Sequence, residues 1–228
     1  MKKSILVIAA HPDDEVLGCG GAVARLVNEG HKAYVLILGE GITARGSKRS
    51  VAKFKKEIRE LKVQAKRANK IIGVSNIFHY EFPDNRFDSV ALLDIVKIIE
   101  KVKNKVNPYT VFTHHYNDLN VDHRITYSAV LAACRPLKGD TVKEIYSFEI
   151  PSSTEWNYPN KFNPNCFIDI SQTLELKIKA LQCYRAELKK FPHPRSEEVL
   201  RVISRKWGSV VGYDYIEAFE LIRRINGI

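Results

Sequence analysis

The sequence predicts a doubly wound α/β sandwich on a mostly parallel sheet, and three observations carry that expectation. Short apolar runs alternate with helical patterns from residue 4 onward, a cadence that implies right-handed crossovers between parallel strands. The 228 residues, 45% of them hydrophobic, suffice to bury one sizeable core, and no linker-like stretch divides residues 1–228, so one domain is expected. The chemically rich loops each follow a strand-like run, which is where open α/β sheets bind their ligands.

The elements follow in order. "SILVIAA" (4–10) opens the sheet, and a helical pattern runs from 14 to 29, stopped by Gly30. "KAYVLIL" (32–38) is the second strand. Val51, Phe54, Ile58, Leu61, Ala65, Ala68 and Ile72 then recur at alternating steps of three and four, ending near Gly73. That spacing is an amphipathic helix with one apolar stripe. Its Lys53, Lys55, Lys56, Arg59, Lys62, Lys66, Arg67 and Lys70 supply much of the formal charge of +10. They are most simply its wet face, with a phosphate or nucleic-acid surface as the alternative; no nucleic-acid partner is expected. "NIFHYEF" (76–82), a helix over 89–106, "TVFTHH" (110–115) and a helix over 122–134 continue the alternation. "EIYSFEI" (144–150) and "CFIDI" (166–170) read as strands, and 173–190 and 214–225 as helices.

Cys19, Cys134, Cys166 and Cys183 lie far apart and form no CxxC pair, which reads as reduced thiols rather than a disulfide framework. The start "MKKSILVIAAHPDDE" imitates a secretory signal, but its apolar stretch ends at Ala10 and acid follows at once. No segment stays apolar for the ~18 residues that a membrane span needs. A cytoplasmic protein is the expectation.

Four polar clusters should meet at one edge: "HPDDE" after the first strand, "GEGITARGS" after the second, "PDNRFD" after the third and "HHYNDLNVDHR" after the fourth. Adjacent carboxylates repel unless a cation or proton relieves them. Pro12 turns the chain out of the first strand into a helix, so His11 and Asp14 emerge on the same side. His123, opening the helix after the fourth strand, offers a third ligand. Two imidazoles and one carboxylate leave a position for water, as in catalytic zinc sites, whose bound water has a pKa of about 7. Asp13 is then placed to act as general base, and Asp122 to orient a ligand imidazole. Glu15 favours the helix dipole. "GCGG" does not match a dinucleotide fingerprint and falls inside the helix.

"AHPDDEVLGCGG" together with "DLNVDHR" resembles the LmbE/PIG-L family of zinc-dependent de-N-acetylases, and the resemblance spans most of the chain. "GEGITARGS", "FPDNRFD", "PSSTEW" and "FPHPRS" resemble the branch found in bacterial sugar modification. The resemblance implies a three-layer Rossmann-like fold and one Zn²⁺ per subunit on His11, Asp14 and His123. It implies Asp13 as base, removal of acetyl from an N-acetylated sugar amine, and a homo-oligomer, either a trimer or a hexamer. Many relatives carry histidine three positions before the ligand histidine, where this chain has Asn120. An amide donates a hydrogen bond to an oxyanion but delivers no proton. Protonation of the departing amine then falls to Asp13, or to one of His114, His115 and His193.

Arg45 and Arg86 are candidates to clamp a phosphate or carboxylate, or else form exposed ion pairs. Tyr116 is a candidate for the substrate carbonyl, Trp156 for stacking on a sugar, and His193 and Arg195 for reaching a neighbouring site or capping a helix. The sugar could be nucleotide- or lipid-linked, a chitin-derived disaccharide or a thiol-sugar conjugate. The non-enzymatic alternative is a basic nucleotide-binding module whose acidic cluster binds Mg²⁺.

Overall fold

The computed structural model describes residues 2–46, 48–159 and 162–226; Ser47 of the second polar loop lies outside them. Its strands are β1 (Ser4–Ala9), β2 (Lys32–Gly39), β3 (Asn76–Phe82), β4 (Thr110–His114), β5 (Glu144–Phe148), β6 (Cys166–Asp169) and β7 (Ile216–Arg224). The helices are α1 (Asp14–Asn28), α2 (Lys55–Ile71), α3 (Leu92–Val106), α4 (Val121–Ala133), α5 (Leu174–Leu181) and α6 (Glu197–Val211). The strands form one sheet in the order β3-β2-β1-β4-β5-β7-β6. β1 to β5 pair in parallel, and β7 runs antiparallel to both β5 and β6. The expected mostly parallel α/β architecture is the one observed.

β1 explains the layering. Ile5 and Val7 enter a core shared with α1, α2 and α5, whereas Leu6 and Ile8 enter one shared with α3 and α4. A strand buried on both faces reads as a continuous apolar run, as "ILVIAA" does. The connections from β1 and β4 leave in opposite directions across the sheet, so a crevice opens at their carboxyl ends.

The last third departs from expectation. The helix read over 173–190 ends at Leu181, and residues 214–225, read as a helix, contain β7 instead. Ile216, Glu217, Ala218 and Phe219 are all buried, because β7 lies inside the sheet with helices over it. Glu217 and Glu220, three apart among apolar residues, break the alternation that marks a strand and imitate a helical step. The helix that does lie here, α6, has Ser196 accepting from the Val199 N–H (3.2 Å) and left-handed Gly212 at its end.

α1 is kinked at Cys19, whose φ of −148° and ψ of 18° are not helical. The broken turn frees backbone groups that buried side chains then satisfy. Glu217 of β7 accepts the N–H groups of Gly21 (3.0 Å) and Ala22 (2.6 Å), and Lys177 of α5 donates to the Leu17 carbonyl (2.7 Å). Lys177 and Glu217 complete the motif by pairing at 2.6 Å. The glycines of "GCGG" serve close packing: a Cβ on Gly18 would sit 2.3 Å from the Phe148 ring.

Candidate metal centre and active-site cavity

His11 and Asp14 arrive from the β1–α1 turn and His123 from the first turn of α4, and all three are buried. One donor atom from each lies within 4.8 Å of the others. The Asp14 Oδ2 is 3.4 Å from His11 Nδ1 and 3.3 Å from His123 Nε2. Each imidazole has a carboxylate behind it: His11 Nε2 donates to Asp122 at 2.9 Å, and His123 Nδ1 lies 3.1 Å from Asp118 Oδ1. The latter contact is close but poorly aligned for a hydrogen bond. Carboxylates that hold the far nitrogens of two imidazoles are characteristic of metal-ligating histidines.

The residues fit a cation on a further count. Asp14 Oδ1 is buried without a hydrogen-bond partner, an arrangement that costs about 1–3 kcal/mol or more for a charged group unless something fills it. Burial disfavours a charged His11, yet Asp122, Asp14 and Asp84 raise its pKa well above the ordinary value. His123 is likewise raised to about 9 by Asp14 and Asp118 against the cost of burial. The cluster therefore calls for positive charge. An overlapping set of donors, His11, Asp84 and Asp122, is also present. Asp122 is the weaker ligand, since its oxygens already accept N–H groups from Asn85 (2.7 Å) and Phe87 (2.9 Å). Its contact with His11 makes it the positioning group for that imidazole.

Asp13 has φ of 107°, a region costly for any residue with a side chain. Its N–H donates to Glu15 Oε2 at 3.0 Å, and Glu15 in turn accepts from Tyr184 Oη (2.5 Å) and Asn69 Nδ2 (2.7 Å). Glu15 thus holds the Asp13 backbone, beyond the dipole role read from sequence; burial lifts its pKa to about 7. The Asp13 carboxylate accepts from Arg195 Nη1 at 2.8 Å. Burial raises its pKa well above the usual carboxylate range, with Arg195 opposing and Asp14 adding to the rise.

His11, Asp13, Asp14, His123 and Arg195 line a cavity of about 330 Å³, together with Gly41, Arg45, Asp84, Asn85, Asn120 and Glu187. Gly41 (φ 71°) brings the second loop against the first, where a Cβ would lie 2.6 Å from Pro12 Cδ. The structure brings together His11, Asp13, Asp14, Arg45, Asn120, His123 and Arg195, with Asp122 directly behind. Arg45 pairs with Glu187, and Arg195 lies 3.6 Å from that same carboxylate.

Arg86, Tyr116 and His193 do not line the cavity. Arg86 is exposed, and Tyr116 packs beside His115 with ring centroids 4.4 Å apart. His193 accepts the Arg195 N–H (3.1 Å) and stands edge-on to Trp156, itself 42% exposed. His115 turns away to Glu220 at 3.1 Å. His114 accepts the Ala10 N–H at 2.9 Å, stacks on His123 and is held down to about 3 by burial and then by His123.

Asn120 caps α4, accepting the Asp122 N–H at 2.8 Å, while its amide donates to Asn85 Oδ1 at 2.8 Å. Asn120→Ala is expected to cost about 1 kcal/mol of stability through the lost cap, read by urea denaturation; no loss would show that the cap is dispensable. The groups not singled out from sequence include Asp84, Asn85, Asp118, Tyr184 and Glu187. Asp118 accepts from Ser153, Thr154 Oγ1 (2.6 Å) and the Asn120 N–H (2.8 Å).

An α/β sandwich with an aspartate- and histidine-lined cavity at the switch point of its sheet defines the class of this protein. Within that class the chain belongs to the PIG-L family, GlcNAc-PI de-N-acetylase, whose model matches residues 6–134. It is 30% identical to the uncharacterized deacetylase YaiS of Escherichia coli, over 81% of this chain and 92% of that one. It is 28% identical to the diacetylchitobiose deacetylase of Thermococcus kodakarensis, over 99% of this chain and 84% of the relative. The fold is shared with GalB, the 4-carboxy-2-hydroxymuconate hydratase of Pseudomonas putida, at a TM-score of 0.76 and 23% identity, covering 100% and 99% of the two chains.

Proposed function

We propose that this protein is a metal-dependent N-deacetylase that hydrolyses the acetamide of an N-acetylated amino sugar or sugar conjugate. The observation that carries the reading is the meeting of His11, Asp14 and His123, with Asp13 beside them, in one cavity. Zn²⁺ held by those three residues supplies Lewis acidity for activating water and polarising the amide carbonyl.

The chain's own groups do the rest. Asp13 takes the proton of the attacking water and later returns it to the amide nitrogen, so that acetate and a free amine leave. Its burial in the same cavity as the three metal-binding residues lets one carboxylate serve both transfers. Arg195 fixes the carboxylate's orientation, and Glu15 fixes the backbone that carries it. The Asn120 amide lines the same cavity and is the side-chain donor we assign to the developing oxyanion.

The cavity's charge favours an uncharged substrate over a polycarboxylate such as the 4-carboxy-2-hydroxymuconate of the GalB hydratase. Its two arginines already hold Glu187 and Asp13, and Asp84 adds a further carboxylate to the wall. The test is acetate release from N-acetylglucosamine, its disaccharide, a lipid-linked N-acetylglucosamine and a UDP-linked N-acetyl sugar. We expect release that stops with chelator and returns with Zn²⁺. Hydration of an unsaturated polycarboxylate such as 4-carboxy-2-hydroxymuconate, with no acetate from any N-acetyl sugar, would overturn the reading.

A further inference from the structure

The basic helix leaves a feature that catalysis does not use. Between α2 and β3 lies a groove of about 720 Å³. Arg59, Lys62, Lys66 and Lys70 rise along it at steps of three and four, with Arg67 beside them, so they share one side of the helix. Of these cations only Lys62 has a carboxylate partner among the described residues, Glu81 at 2.5 Å. The rest lie beside one another unneutralised. Val63, Val74 and Ile77 give the groove an apolar floor, and Val63 is 44% exposed.

β3 closes the other side as the last strand of the sheet, paired with no described strand but β2. The Ser75 N–H donates to the Ala33 carbonyl at 2.8 Å. By the two-residue period of a strand, Ile77 also pairs inward, whereas Asn76 and Phe78 direct N–H and C=O away from the sheet. His79 on the groove wall is held down to about 4 by burial and then by Lys62 and Lys66, so it adds no charge at neutral pH.

We infer that the groove between α2 and the free edge of β3 is a docking site for an extended acidic peptide segment, which joins β3 as an added strand. Three features point to that occupant together. Free backbone groups on the edge accept another strand. The cationic rim and the apolar floor both lie on the α2 side of the sheet, so they meet every second side chain of an added strand, and a segment acidic at alternate positions matches the rim. A nucleic acid or an anionic membrane would engage the rim alone and leave the strand edge unused. A second copy of this chain, with its formal charge of +10, would set the same cations against one another.

The test uses the whole protein and a labelled octapeptide of alternating glutamate and valine, followed by fluorescence anisotropy. Saturable binding is expected, weakened by salt, and reduced about tenfold or more by the double substitution Lys66→Glu, Lys70→Glu. Both positions are exposed on α2, so the variant should fold, and circular dichroism checks that it does. A peptide N-methylated at alternate residues keeps its charge but cannot pair with a strand edge, and it should bind at least tenfold more weakly. Equal binding of the methylated and parent peptides would overturn strand addition. The proposal also fails if no peptide binds, if a single-stranded oligonucleotide or phosphatidylserine vesicle binds more tightly, or if sedimentation shows this face buried between copies of the chain.

Discussion

Asp13→Asn should lose about 10²- to 10⁴-fold in turnover while keeping its fold and metal content. The substitution preserves the side chain's shape beside Arg195 and spares His11, Asp14 and His123. It removes only the capacity to take and return a proton. Acetate release gives the rate, elemental analysis the metal, and circular dichroism the fold. A variant within a few-fold of the parent rate, with metal retained, would mean that another group moves the proton. No histidine stands ready for that role: His114 is locked on the Ala10 N–H, His115 faces Glu220, and His193 does not line the cavity.

The largest loss of stability is expected from Glu217→Ala. Glu217 accepts the Gly21 and Ala22 N–H groups at the kink of α1 and pairs with buried Lys177. Its removal strands an ammonium in the interior and two backbone donors with it, a loss of about 3–5 kcal/mol by analogy with other broken buried pairs. Urea denaturation measures it. The double variant Glu217→Gln, Lys177→Met should recover part of the loss, because the uncompensated charge is gone while the amide still accepts a backbone N–H. A single variant less than about 1 kcal/mol below the parent would show that the kink is held by packing alone. The kink matters for the site because the first half of α1 carries Asp14 and Glu15.

How much of this was legible in the sequence follows from the range of each signal. β1 to β4 announce themselves because their apolar runs are local and each is followed by a helix with its own period, and β5 by its apolar run alone. His11 and Asp14 are readable as a pair because three residues span one turn. His123 joins them because both loops leave carboxyl ends of adjacent strands, β1 and β4. The third loop was harder. Arg86 stands out in "PDNRFD" by its charge, yet it faces solvent while Asp84 two residues earlier lines the cavity. Nothing in the local pattern tells which residue of a turn points inward. Glu187 and Tyr184 reach the site from beyond α5, and Glu217 reaches α1 from β7, contacts set wholly by tertiary packing. α6 did carry readable signals, Ser196 before two glutamates and Gly212 after the last turn, the usual marks of a helix start and stop.

The central claim is that His11, Asp14 and His123 together hold one catalytic cation. Equilibrium dialysis against Zn²⁺, with elemental analysis of the parent chain and of His11→Ala, Asp14→Ala and His123→Ala, tests it most directly. The account predicts one tightly held ion per parent chain, lost from each of the three variants while each remains folded. Folded His123→Ala and Asp14→Ala chains that retained the ion at undiminished affinity would contradict it.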